Sequence, residues 1–242
     1  MSRDADTTTD ALFDGAVTVV QPRGGYRFNV DALWLADFAL QGRRCRHLLD
    51  LGAGVGVVTL AAHHLAGVGR ATVIERDPLM AELCVRNLKR ARIDARVHEA
   101  DVARARFEGP FDRIVSNPPF FEPGERRPAK SEREPARAGA LEPFARAAAR
   151  ALTGPRARAA FVYPARSLMR LLSLAEGHAL VPKRLRFVHA FASEPARVVL
   201  VELCRAKPGG LVVEPPLVEW VGRGRPGAEL SALRAGRASG RS

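Results

Sequence analysis

His47-Leu48-Leu49-Asp50-Leu51-Gly52-Ala53-Gly54-Val55-Gly56 is an apolar run that ends in three alternate glycines. His47–Leu51 reads as a short buried strand, and it runs straight into the glycine-rich turn Gly52–Gly56. Val57–Leu65 follows with small and apolar residues facing inward, as a helix would carry them. Strand, glycine-rich turn and helix in this order form the nucleotide-binding entry of a doubly wound sheet. Glycine lets backbone approach a ligand closely, and a helix N-terminus offers free N–H groups. Val57 stands where a dinucleotide fold places its third glycine, which disfavours a pyrophosphate-binding dehydrogenase. A plain tight turn has the same short pattern, so the loop alone decides little.

The next strand, Ala71–Ile74, ends at Glu75, where an acidic side chain can accept hydrogen bonds from a ribose diol. Asp77 and Pro78 then supply an N-cap and a first helical residue. A third strand, Ala95–Ala100, runs into Asp101, whose carboxylate can accept from an adenine amino group. Solvated charge at a strand end would explain Glu75 or Asp101 singly. It explains poorly the ordered set of glycine loop, Glu75 and Asp101.

A fourth apolar run, Phe111–Ser116, leads into Asn117-Pro118-Pro119-Phe120. Two prolines fix φ near −65° and remove two backbone donors, so the chain leaves the strand on a stiff extended path. The Asn117 side-chain oxygen and the Pro118 carbonyl then form a pair of acceptors, and an aromatic ring follows. Together these parts can hold a planar –NH2 group by both hydrogens while a ring packs on its flat face. Asn-Pro is also ordinary turn chemistry.

Asp50–Gly56, Glu75, Asp101 and Asn117–Phe120 together resemble a class I S-adenosylmethionine-dependent methyltransferase that methylates amino groups. The stretch from Gln21 to Phe38, with Tyr26-Arg27-Phe28-Asn29-Val30-Asp31 at its centre, is similar to the bacterial valine-tRNA adenine-N6 methyltransferases. These modify the adenosine next to the anticodon. The resemblance covers about Leu12 to Trp220. It implies a cofactor, S-adenosylmethionine, held by Arg27, Asn29, Asp50, Gly52, Gly54, Gly56, Glu75, Asp101 and Asn117. Arg27 and Asn29 would lie over its methionine end. Asn117, Pro118 and Phe120 would carry the chemistry, with Pro119 and Phe121 beside the base. A tRNA partner would meet Arg126, Arg127, Lys130, Arg133 and Arg137. The loop Ala136-Arg137-Ala138-Gly139-Ala140 departs from relatives that carry His or Glu after the Ala-Arg pair.

The alternation of runs predicts an α/β fold: a Rossmann-like, seven-stranded, mostly parallel sheet with a C-terminal antiparallel hairpin. The remaining strands are Ala157–Tyr163, Arg184–Phe191 and Arg197–Cys204. Helices are expected at Ala32–Leu40, Pro78–Arg92, Glu142–Leu152 and Ala165–Glu176, and Val17–Gln21 as half of an N-terminal hairpin. Residues 1–11 read as disordered, 12–221 as the catalytic domain, and 222–242, rich in Gly, Arg, Ser and Ala, as a mobile basic tail. Glu122–Arg137 reads as a long exposed loop. Trp34 reads as core, and His63-His64 as a surface or packing pair.

The net charge of +12 and pI near 10.9 favour a polyanionic partner, although an Ala- and Arg-rich chain can owe this to overall composition. The densest basic run follows Asn117–Phe120 directly and would border the site's mouth. No apolar run approaches the roughly 18 residues of a membrane span, and Met1–Asp10 is no secretory signal. Cys45, Cys84 and Cys204 form no metal-ligand pair and read as reduced thiols, so a cytoplasmic, metal-free protein is expected; its oligomeric state stays open, with a monomer preferred. Two other functions share these features: glutamine-N5 methylation of a protein such as a release factor, and a silent RNA-binding domain on the same fold.

Overall fold

The structure, a computed structural model, describes residues 7–24, 29–41, 43–119 and 141–238. Its central sheet takes shape from β3 (Cys45–Leu51), β4 (Val68–Glu75), β5 (Ala95–Glu99), β6 (Arg113–Ser116), β7 (Arg158–Pro164), β8 (Val181–Phe191) and β9 (Val198–Cys204). Before them come β1 (Thr7–Leu12) and β2 (Val17–Pro22), and after them β10 (Val212–Val213), β11 (Leu217–Gly222) and β12 (Arg225–Pro226). The helices are α1 (Val30–Leu40), α2 (Val57–Ala66), α3 (Pro78–Arg90), α4 (Leu141–Ala151), α5 (Leu168–Gly177) and α6 (Ala228–Arg234).

The sheet order is β12-β11-β8-β9-β7-β6-β3-β4-β5, with β10 also on β8. The expected seven strands are contiguous in it: β5, β4, β3, β6 and β7 are parallel, and β9 is antiparallel to both β7 and β8. The count is ten rather than seven, because three short strands extend the β8 edge. Side chains alternate between two cores. Along β7, Ala160 and Val162 face the layer of α1, α2 and α3, whereas Ala159, Phe161 and Tyr163 face that of α4 and α5. A sheet covered on both faces needs such near-continuous apolar strands.

Two sequence expectations are corrected at the ends of the chain. Residues 7–11, read as disordered, lie in β1, which pairs with β2 from Thr7↔Pro22 to Leu12↔Val17. Three threonines in the run favour an extended chain, which an acidic overall composition conceals. Residues 222–242, read as a mobile tail, include β12 and α6. Leu230 and Leu233 of α6 are buried, and the Arg234 guanidinium lies 5.0 Å from the Trp220 ring centroid. Two leucines three residues apart anchor this helix, a local signal diluted by the glycines and arginines around them.

Candidate active site

Four of the candidate site residues lie at the carboxyl ends of four adjacent parallel strands. Leu51 pairs with Ser116 on one side and with Ile74 on the other, and Glu75 pairs with Glu99. The residues that leave these ends are therefore neighbours: Asn117, Gly52, Glu75 and Asp101. Crevices at this end of an open α/β sheet are where ligands bind. The Ser116 hydroxyl, fully buried, donates to the Leu51 carbonyl at 2.9 Å and ties the start of the Asn-Pro-Pro segment to the start of the glycine loop.

The loop folds back onto β4. Gly52 and Ala53 both donate to the Ile74 carbonyl, at 2.8 and 3.1 Å. Gly54 has φ +58° and open space where a Cβ would stand, so its backbone faces a free volume. Gly56 has φ +88°, and a Cβ there would lie 2.8 Å from the Cys84 sulfur, so a larger residue would both strain the turn and push α3 away. Glu75 holds the loop from below. Its Oε2 accepts from the Gly54 N–H and its Oε1 from the Asp77 N–H, both at 2.8 Å. Each carboxylate oxygen keeps a further acceptor site.

Two buried oxygens at this end accept no hydrogen bond among the described residues: Oδ1 of Asn117 and Oδ1 of Asp50. Buried acceptors are normally satisfied, and an exception in a crevice points to a ligand. Asp50 is 1% exposed, and its Oδ2 accepts from the Thr59 hydroxyl at 2.7 Å. Desolvation by burial, reinforced by the charge of Glu75, pushes the Asp50 carboxyl up to about 7. The folded protein thus keeps a proton on Asp50 between about pH 4 and about pH 7 that the unfolded chain has released. Stability falls as pH rises through that window. The melting temperature of the ligand-free protein, compared with that of Asp50→Asn, is expected to drop from pH 4 to pH 7, and a difference that does not change with pH would refute this.

The other sequence-predicted residues are placed less decisively. Asp101 is exposed, and its Oδ1 accepts from the Ala103 N–H at 2.7 Å in a turn that follows β5. Asn29 caps α1: its Oδ1 accepts from Asp31 N–H at 3.1 Å and its Nδ2 donates to the Asp31 carboxylate at 2.7 Å. Pro118 is buried and Pro119 half-buried beside Asn117. Arg27, Phe120, Phe121, Arg126, Arg127, Lys130, Arg133 and Arg137 lie outside the described residues. Trp34 is core, as read from the sequence, yet its indole N–H donates to Glu219 at 2.9 Å. His64 stacks on Phe13 at 4.4 Å, and His63 contacts the Val68 carbonyl, so both are packing residues.

Sequence reading missed a polar cluster beside the α1 N-terminus. Arg197 pairs with buried Asp31 at 2.7 Å and with Glu219 at 2.8 Å, fixing the β8–β9 turn to α1 and β11. It also missed Asn87 on α3. A polar residue on the stripe formed by Leu83, Cys84 and Leu88 was the available signal. Among the described residues no His, Cys, Asp or Glu group could hold a metal ion, and no helix is long and apolar enough to cross a membrane.

The known proteins that the chain resembles are methyltransferases. Residues 32–134 match the model of the methyltransferase small domain. A tRNA1(Val) (adenine(37)-N6)-methyltransferase of Porphyromonas gingivalis is 32% identical over 164 residues, 64% of each chain. One of Vibrio vulnificus is 27% identical over 192 residues, 77% of this chain and 79% of its own. Among solved structures, a predicted O-methyltransferase of Agrobacterium tumefaciens superposes with a TM-score of 0.65 at 23% identity, covering 86% of this chain and 96% of its own. Strand order, glycine loop and matched domain give the chain the fold of a class I methyltransferase. Within that class the chain resembles the bacterial enzymes named for adenine-37 of a valine tRNA.

Proposed function

We propose that the protein transfers a methyl group from S-adenosylmethionine to the exocyclic N6 of an adenosine next to the anticodon of a tRNA, in the cytoplasm. The observation that carries this reading is the buried, unpartnered Oδ1 of Asn117 at the strand end beside the glycine loop. The names of the relatives supply the tRNA.

The site fits the cofactor. Gly54 presents open backbone, Glu75 has acceptor sites left for a ribose diol, and the unpartnered Asp50 oxygen suits a cationic or hydrogen-bonding group. Asp101 would accept from the adenine amine, with Arg27 and Asn29 towards the methionine end. When bound, S-adenosylmethionine supplies an electrophilic methyl group with its own leaving group. The protein's part is then positioning and electrostatics.

An adenine amine is a poor nucleophile because its lone pair is delocalised into the ring. With one N–H donating to Asn117 Oδ1 and the other to the Pro118 carbonyl, the nitrogen is drawn towards tetrahedral geometry and its lone pair is freed. No strong base is required, because the alkylated nitrogen gives up its proton readily. Phe120 or Phe121 would stack on the base, a common way of holding an unpaired RNA base. Pro119 would stiffen the segment between them.

The test is incubation with radiolabelled cofactor and either bulk tRNA or a protein extract. Label recovered as N6-methyladenosine from digested tRNA is the expected result. Label in protein would move the substrate to a glutamine side chain, since Asn117 and Pro118 can hold an amide –NH2 equally well. No label in either would leave a binding domain. The charge gives a second test. If Arg126, Arg127, Lys130, Arg133 and Arg137 contact phosphates, log affinity for tRNA should fall against log salt with a slope of roughly −3.5 to −4.5, taking about −0.7 to −0.9 per contact. Changing all five to Ala should flatten that slope while cofactor binding persists. Equal slopes would assign the positive charge to composition.

A further inference from the structure

We propose that Asn87 is a positioning residue for cofactor binding, joining the glycine loop to the N-terminal hairpin so that the two move as one unit. The inference rests on the reading of the glycine loop as the cofactor cradle. Asn87 lies on α3 and is fully buried. Its Nδ2 donates to the Val20 carbonyl at 2.9 Å and to the Val55 carbonyl at 3.0 Å, and its Oδ1 accepts from the Val20 N–H at 2.9 Å. Both amide hydrogens and one oxygen lone pair are thereby used.

The geometry explains why this side chain is an amide. The β1–β2 pair forms a two-stranded sheet separate from the central one. At Val20 the Asn87 amide offers one donor and one acceptor to the same residue, as the next strand of a sheet would. The second amide hydrogen reaches Val55, which stands between Gly54 and Gly56. The loop is then held from two sides, by Glu75 at the Gly54 N–H and by Asn87 at the Val55 carbonyl. A hydroxyl has one hydrogen and cannot serve both carbonyls. A carboxylate would turn acceptors towards two carbonyl oxygens. An apolar side chain would leave three backbone groups of β2 and the loop buried without partners.

Gly54 needs a fixed backbone orientation to face a ligand, and at its φ of +58° no atom lies within 4 Å of where a Cβ would stand, so its orientation depends on the bonds that hold the loop on either side. Loss of the Val55 anchor frees the loop from α3 and β2 together, so cofactor affinity should suffer more than the remainder of the fold. Conversely, a cofactor seated on the loop should make the hairpin more rigid. Binding that orders one segment orders whatever is bonded to it.

Two measurements test this. In the wild-type protein, exchange of the Val20 amide hydrogen should slow when S-adenosylmethionine is added, and an unchanged rate would overturn the proposal. In the second, Asn87→Ala and Asn87→Asp are compared with Leu203→Ala, a fully buried change on β9 remote from the loop. The Asn87 variants should lose about tenfold or more in S-adenosylmethionine affinity, with the KM for tRNA nearly constant. Leu203→Ala, at an equal or larger drop in melting temperature, should keep its cofactor affinity. Equal affinity losses in all three would mean that affinity merely follows stability, and the proposal fails. Wild-type affinity in a folded Asn87→Asp protein also overturns it, leaving the functional reading intact. A wild-type protein that binds no S-adenosylmethionine removes both.

Discussion

Asn117→Ala is expected to reduce turnover by on the order of 10²-fold or more while leaving the fold nearly unchanged and lowering cofactor affinity far less than turnover. The side-chain oxygen is buried yet accepts nothing among the described residues, so its removal breaks no bond seen there. What it removes is one of the two acceptors proposed to orient the amine. A reacting group misplaced by about 1 Å can cost that much in rate. Affinity for tRNA, held mainly by phosphate contacts, should change little. Asn117→Asp should be milder, because a carboxylate still accepts a hydrogen bond. Single-turnover kinetics with a saturating tRNA substrate separate the chemical step from binding. Wild-type turnover in Asn117→Ala would reduce the Asn-Pro-Pro segment to a rigid turn.

Ser116 gives the same segment a fixed origin. Its hydroxyl bond to Leu51 joins the two strands at the point where one enters the glycine loop and the other the Asn-Pro-Pro path. Lateral registration of these ends is therefore part of the sheet itself. Sites built on regular elements hold geometry better than sites built on loops.

What the sequence disclosed and what it concealed differ in range. The strands of the central sheet and the helices between them were legible because each is a local apolar run with its own punctuation. Asp77 and Pro78 mark the start of α3, and the structure shows Asp77 Oδ1 accepting from the N–H groups of Leu79 and Met80. The strand ends were drawn short where polar residues begin them. β4 starts at Val68 rather than Ala71 because exposed Gly69 and Arg70 still belong to the strand. Glu75 and the loop were legible as separate motifs, but the bond from Gly54 to Glu75 was not. The Asn87 contacts with β2 span 67 residues and the Trp34 bond to Glu219 spans 185, distances over which a single sequence carries no pairing signal. The ordered C-terminal elements were hidden for a different reason. A composition argument averages over the segment, whereas folding there depends on a few residues, chiefly Leu230 and Leu233, finding a face to cover.

Glu75→Ala should have the second large effect, and its cause is now more specific than a lost contact with ribose. The carboxylate is 7% exposed and accepts backbone N–H groups from Gly54 and Asp77, so truncation leaves two partly buried donors unpaired. Hydrogen bonds to a charged group are worth about 1.5–3 kcal/mol each, and unpaired buried donors cost about 1–3 kcal/mol. Because both donors are only part-buried and can reach water once the side chain is gone, the protein should lose well under the sum of two such bonds, roughly 1–3 kcal/mol of stability by chemical denaturation. Its affinity for S-adenosylmethionine should fall by about 10- to 10²-fold, because the loop and the proposed ribose contact are weakened together. Glu75→Gln sharpens the test. A carboxamide has one accepting oxygen, so one of the two N–H groups would face an –NH2 donor instead. Gln is isosteric but should behave nearly as badly as Ala, whereas a role based on side-chain volume alone would make it silent. Calorimetric titration of all three proteins, with stability measured in parallel, decides the matter. A folded Glu75→Ala protein with undiminished affinity would show that the loop is held by other means and that ribose is not bound there.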